Sequence, residues 1–224
     1  MIKQHVRYQA RRVFLTTKRT VIKNLVDRPN GLDTADEIDL EALGFDSKDR
    51  VRYEPSGWGD LKRCLPRDEV SNDDVFIDFG AGKGRVLIEA AQFPFKRIEG
   101  VELAPQLVEV AKTNLATDQR KRSCDDITLT VADVLEYEIP NDLTVAYLAN
   151  PFRGEIFAKF IERLLEAYDR HPRPLRLIYR VPMEQRILED TGRFKLVRTT
   201  KGYRPTSKWA EKMSIKTYEV IPGQ

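Results

Sequence analysis

VFIDFGAGKGR, residues Val75 to Arg85, is the stretch on which the reading of this chain turns. Val75, Phe76 and Ile77 form a short β-prone apolar run behind the acidic pair Asp73 and Asp74, which predicts a buried strand. Asp78 closes that strand. Gly80, Gly82 and Gly84 follow at every second position, and Val86, Leu87 and Ile88 then open an apolar stretch compatible with a helix. Glycines this dense let the backbone turn sharply and leave no Cβ between it and a ligand, while a following helix directs N–H groups at the same spot. A dinucleotide fingerprint needs glycine at the first, third and sixth positions. Counted from Gly80 the sixth position is Arg85, so the pyrophosphate version fails. An acid ahead of the first glycine is also unsuited to a diphosphate and suits a cationic ligand. A tight turn with no ligand is the plain alternative.

An apolar strand, an acid and then G-x-G-x-G resembles the first motif of class I S-adenosylmethionine-dependent methyltransferases. The resemblance places Asp78 near the amino group or sulfonium of that cofactor, against Gly80, Gly82 and Gly84. The next strand, 97–101, leads into Glu102, 22 positions beyond Gly80, close to the separation of about 20 residues expected for an acid that takes ribose hydroxyls. The strand 128–131 ends at Ala132 and Asp133, where the family carries the acid or amide that reads the adenine amino group. Tyr53-Glu54-Pro55-Ser56 is similar to a segment that precedes the glycine motif in many bacterial relatives and folds over the cofactor. Tyr53 and Glu54 thereby become candidate contacts, Glu54 also as a base; Tyr53 equally fits an ordinary packed aromatic.

The strand 144–148 runs into Asn150, Pro151 and Phe152. Class I enzymes that methylate nitrogen often carry Asn or Asp here, followed by prolines and an aromatic residue. The amide oxygen and nearby carbonyls accept hydrogens from the target amine, and the ring excludes water. Only one proline is present, and the same residues also read as a turn before the helix 155–168. A fifth strand, 175–179, ends at Tyr179, and two more, 194–199 and 214–221, follow, the last read as inserted antiparallel. Between them lies the loop from Lys201 to Trp209. Its cations and aromatics suit an anionic partner, RNA or a phosphorylated molecule, if the sixth strand is parallel; a solvated hairpin tip is the other reading. Tyr179, Tyr203 and Arg204 are the candidate acceptor contacts.

Strands alternating with helices predict a doubly wound α/β fold: a mostly parallel seven-stranded sheet, helices on both faces, and an extra N-terminal helical arm. Residues 53–224 are expected to form the methyltransferase domain, and residues 1–52 a basic helical arm and acidic connector. Among the first 28 residues eight Lys and Arg face Asp27 alone, on a chain whose net charge is +3. In this arm Ile2, Val6, Ala10, Val13, Phe14, Val21, Leu25 and Val26 recur at helical spacing. That pattern reads as an apolar stripe packed on the domain with its cations outside, or as an arm for nucleic acid, acidic lipid or organelle targeting. The acids Asp33, Asp36, Glu37, Asp39, Glu41, Asp46 and Asp49 mark the connector.

With 224 residues and 41% hydrophobic content the chain can bury a sizeable core. No apolar run approaches membrane-spanning length and no secretory signal is evident. Cys64, Cys124, His5 and His171 stand apart, so neither a metal site nor a disulfide framework is supported, and a cytoplasmic location is expected. Methyl transfer from sulfonium is a direct displacement carried largely by positioning, so no His or Cys cluster is required. The group of bacterial class I proteins that this wording resembles is related in the motif to lysine methyltransferases outside the SET class. The expected reaction is methylation of a nitrogen in a protein lysine, nucleobase or small amine. The alternatives are O-methylation of a small anionic metabolite, or a non-catalytic module binding S-adenosylmethionine and RNA.

Overall fold

The computed structural model describes residues 2–45 and 49–223; Asp46, one of the connector acids, lies outside them, as do the side chains of the first eight residues and of Leu40. Its centre is a seven-stranded sheet in the order β3-β2-β1-β4-β5-β7-β6. The strands are β1 (Val75–Phe79), β2 (Arg97–Glu102), β3 (Ile127–Val131), β4 (Val145–Leu148), β5 (Arg176–Arg180), β6 (Phe194–Thr200) and β7 (Ile215–Val220). The first five pair in parallel, and β7 is inserted antiparallel between β5 and β6. β6 therefore runs parallel to β5, and the loop after it emerges at the same end as the glycine turn.

β1 and β4 are apolar at nearly every position because both faces of the sheet are covered. Phe76, Leu87, Ile88, Tyr147 and Ile178 pack on one side. Ile77, Phe79, Leu148, Leu177 and Tyr179 pack on the other, against a long helix whose buried face repeats as Phe157, Phe160, Ile161 and Leu164. The helices are α1 (Ile2–Ile22), α2 (Asp60–Cys64), α3 (Arg85–Ala90), α4 (Pro105–Thr117), α5 (Gly154–Arg170), α6 (Gln185–Thr191) and α7 (Ser207–Lys212). α4 opens with Pro105 in its first turn, where the missing donor costs nothing. The chain leaves β1 toward β2 and returns from β3 to β4, so the crevice of this sheet opens at the carboxyl ends of β1 and β4.

Two expectations change. Val13, Val21 and Leu25, read as a packing stripe, are 64%, 46% and 72% exposed. α1 instead turns Phe14, Leu15, Lys18 and Arg19 toward the domain; Arg19 pairs with Glu37, and Lys23, just past the helix, pairs with Asp36. Residues 207–209, read as part of a loop, belong to α7, whose first turn is capped by Thr206 accepting from the Trp209 backbone N–H. The connector is woven into the sheet end. Ile38 and Tyr53 exchange backbone hydrogen bonds at 3.2 and 2.9 Å across the expected boundary at residue 53, and Val51 N donates to Pro151 O at 2.9 Å. Among the described residues no helix is long and apolar enough to cross a membrane.

Candidate functional site

A cavity of about 440 Å³ lies at the carboxyl ends of β1, β2, β4 and β5, under α1 and α7. Tyr53, Glu54, Asp78, Gly80, Glu102, Asp133, Asn150, Pro151, Phe152 and Arg204 all line it. Asp78 is 2% exposed, and its Oδ1 has no hydrogen-bond partner among the described residues. Burial, and then the Glu102 carboxylate, push Asp78 well above the usual carboxylate range. Glu102 is raised as well, by burial, although it accepts from Gly82 N at 2.8 Å and Ala104 N at 3.0 Å. Two desolvated carboxylates side by side are costly, and an ammonium or hydroxyl donor between them offsets that cost.

The glycine turn has its own logic. Gly80 N and Ala81 N donate to Val101 O at 2.8 and 3.1 Å, Gly82 N is held by Glu102, and Gly84 N donates to Ala81 O at 2.9 Å. These N–H groups are spent inside the protein, which disfavours a diphosphate. Gly80 and Gly82 have φ of +86° and +53°, and a Cβ there would lie 2.4 Å from Pro151 and 2.2 Å from the Tyr53 ring. The turn is thus bare because two side chains close over it. Gly84 is packed on Ala111 of α4, away from the cavity.

Asp133 accepts from Leu135 N at 3.0 Å and pairs with Arg50 at 2.5 Å, so the connector supplies its counter-charge. Asn150 is buried in the left-handed region at φ 58°, and its Oδ1 accepts from the Tyr179 hydroxyl at 3.3 Å. Tyr179 is fully buried and stacked on Phe157, with ring centroids 5.1 Å apart. Tyr179, expected as an acceptor contact, thus lies behind the cavity wall with its hydroxyl on Asn150. Tyr203, 76% exposed, stands outside the cavity because its ring points to solvent. Phe152 lines the cavity but is also wedged edge-on against Phe160 at 5.3 Å.

Sequence reasoning missed Arg11, Arg50 and Arg180, which line the same space. Arg180 stands at the carboxyl end of β5, a position that the strand-end rule marks. Arg11 and Arg50 belong to segments whose route over the sheet no local pattern reveals.

No protein-family model matches the chain. A protein-lysine N-methyltransferase of Saccharolobus islandicus is 36% identical over 66 residues, 29% of this chain and 41% of that protein. A ribosomal protein L11 methyltransferase of Shewanella is 30% identical over 86 residues, 38% of this chain and 28% of that protein. The chain thus spans less than half the length of these relatives. An RNA methyltransferase from Salinibacter ruber, solved with S-adenosyl-L-homocysteine, superposes with a TM-score of 0.53 at 22% identity, over 76% of this chain and 97% of that one. A tRNA m1G37 methyltransferase of M. jannaschii superposes at 0.52 and 16% identity, over 72% and 49%. By its strand order and these superpositions, the chain has the Rossmann-like fold of class I S-adenosylmethionine-dependent methyltransferases.

Proposed function

We propose that the protein is an S-adenosylmethionine-dependent methyltransferase acting on a nitrogen of an anionic acceptor. The observation that carries this reading is the buried Asp78, whose Oδ1 has no hydrogen-bond partner among the described residues, beside Glu102 at the carboxyl ends of β1 and β2. In this reading Asp78 holds the cofactor's ammonium, Glu102 its ribose hydroxyls and Asp133 its adenine amino group, with Tyr53 and Gly80 shaping the wall. The cofactor supplies a methyl group activated by the positive sulfur. Asn150, fixed by Tyr179, accepts a hydrogen of the acceptor nitrogen and orients its lone pair, while Pro151 and Phe152 exclude water. Glu54, at the rim, takes the proton of an ammonium acceptor. The name of the partial relative from Saccharolobus islandicus, a protein-lysine N-methyltransferase, supports nitrogen; a carboxyl or hydroxyl oxygen as the labelled atom would overturn that choice.

Calorimetry tests the pocket. Asp78→Asn and Glu102→Gln each weaken S-adenosylhomocysteine by roughly 10- to 100-fold, the loss of a charge-assisted hydrogen bond. Because Asp78 binds its proton more tightly than an exposed carboxyl and a cation favours its ionised form, cofactor binding releases protons and tightens as pH rises toward the raised Asp78 value. Buffers of different ionisation enthalpy read that release directly. Tight binding of NAD with none of S-adenosylmethionine would end the reading. Transfer of radiolabel to extract fractions, with and without nuclease or protease, identifies which polymer or small molecule is the acceptor.

A further inference from the structure

The acceptor side of the cavity is built from cations, opposite in sign to the Asp78 and Glu102 side. Trp209 of α7 is its centre. Phe14 meets its ring edge-on at 5.3 Å, and the guanidinium groups of Arg11 and Arg204 lie 5.1 and 5.5 Å from its centroid. Two buried donors in this cluster, Arg204 Nε and Trp209 Nε1, have no acceptor among the described residues. Buried donors are rarely left unmet, and each such group raises the question of what it awaits. Arg180, 5% exposed, lines the same space with its Nε on Asp60 Oδ2 at 3.1 Å. The residue after it, Val181, is held at φ 53°, a conformation costly for a β-branched side chain. Val181 N donates to Ser214 O at 2.9 Å and Met183 N to Val181 O at 2.7 Å, which fixes that strain in place. Strain of this kind clusters at active sites and ligand clamps.

The charges also crowd one another. Lys18 is lowered by burial and then by Arg204, and Arg204 is lowered by burial and then by Arg180. Against them stand Glu54, at the rim, and Asp60, which is already engaged by Arg180 and by Gly57 N. An anion seated among these cations would relieve both the repulsion and the unmet donors.

Resting on the methyltransferase reading above, we propose that the space bounded by Arg180, Arg204 and Trp209 is a subsite for a phosphomonoester group on the methyl acceptor. A carboxylate offers two oxygens and one charge. A phosphomonoester offers three oxygens and a charge near −2 at neutral pH, which matches a planar guanidinium, an indole N–H and the flanking cations of Arg11 and Lys18. The group belongs to a small phosphorylated molecule or to the 5′ end of a nucleic acid, and the two are separated by experiment.

The test is calorimetric titration of the full chain, at constant ionic strength, with inorganic phosphate, a nucleoside, its 5′-monophosphate, and one short oligonucleotide with and without a 5′ phosphate. Inorganic phosphate and the monophosphate bind and the nucleoside does not. Arg204→Gln and Trp209→Phe each weaken inorganic phosphate tenfold or more, while S-adenosylhomocysteine affinity stays within twofold in both variants, which also reports that they fold. A phosphorylated oligonucleotide binding ten times tighter than the monophosphate assigns the group to a nucleic-acid end; equal or weaker binding assigns it to a small molecule. Equal affinity for nucleoside and monophosphate, or phosphate affinity unchanged in Arg204→Gln, overturns the subsite. Phosphate binding without S-adenosylhomocysteine binding would sink the methyltransferase reading and leave the anion site, and the reverse pattern would sink the anion site alone.

Discussion

Arg85 occupies the position where a dinucleotide-binding turn needs its third glycine, and the structure shows what it does there. It is 4% exposed, donating from Nε to Thr34 Oγ1 at 2.8 Å and from a terminal amine to Ser56 O at 2.7 Å, with Asp27 at 3.4 Å and the Trp58 ring 5.0 Å from its guanidinium. Asp27 is buried as well and also accepts from Thr34 and the Trp58 indole. Arg85→Met leaves that carboxylate uncompensated and costs about 3–5 kcal/mol. Urea unfolding reads the loss, and a change below about 1 kcal/mol would show that the pair is not a unit. The failed sixth glycine was legible in the sequence as a reason to reject a diphosphate. Its positive role was not, because Asp27, Thr34 and Ser56 lie 58, 51 and 29 residues away. Asp78 and Glu102 were legible because strand ends and a fixed separation mark them locally.

At the scale of elements, the inner strands β1, β4 and β5 were readable from apolar runs, since both of their faces are covered, while β3 and β6, half-exposed at the sheet edges, were readable only from shorter alternating patterns. The face of α1 was not. An apolar periodicity names a stripe but not the surface that receives it, and here the receiving surface is an acidic connector and the cavity mouth. Lys18, Arg19 and Lys23 are half-buried, while Val13, Val21 and Leu25 are exposed. The orientation has a direct consequence. Val21→Lys leaves stability within about 0.5 kcal/mol, as for other surface changes, whereas Phe14→Ala removes the edge contact with Trp209 and costs about 1–2 kcal/mol. Thermal unfolding of both variants decides it: a larger loss for Val21→Lys would mean that the exposed stripe is packed in solution. The helical start of α7 at Ser207 was hidden for a different reason. Thr206-Ser207-Lys208 reads as polar loop until the Thr206 cap is seen to close the turn on Trp209.

The molecule as a whole sorts charge along one cavity. Parallel strands bring Asp78 and Glu102 side by side in it, while β5, the loop after β6 and α1 group Arg180, Arg204 and Arg11, and Asp133 is paired with Arg50. A cationic cofactor and an anionic acceptor placed in such a field are each drawn to the end that complements them, so their orientation is set before any close contact forms. The two ends differ in exposure, and that difference is measurable. Asp78 and Glu102 are buried, and so is Arg180 at the other end, but Arg11 is exposed and Arg204 half-buried. Raising salt from about 0.1 M to about 1 M shortens the screening length from about 10 Å to about 3 Å, which weakens interactions between exposed charges and spares buried ones. The affinity for S-adenosylhomocysteine therefore changes less than about twofold over that range, while the affinity for a nucleoside 5′-monophosphate falls by about tenfold or more. A monophosphate affinity as insensitive to salt as that of the cofactor product would place its phosphate away from the α1 and α7 cations, and the division of the cavity into two charged ends would lose its functional meaning.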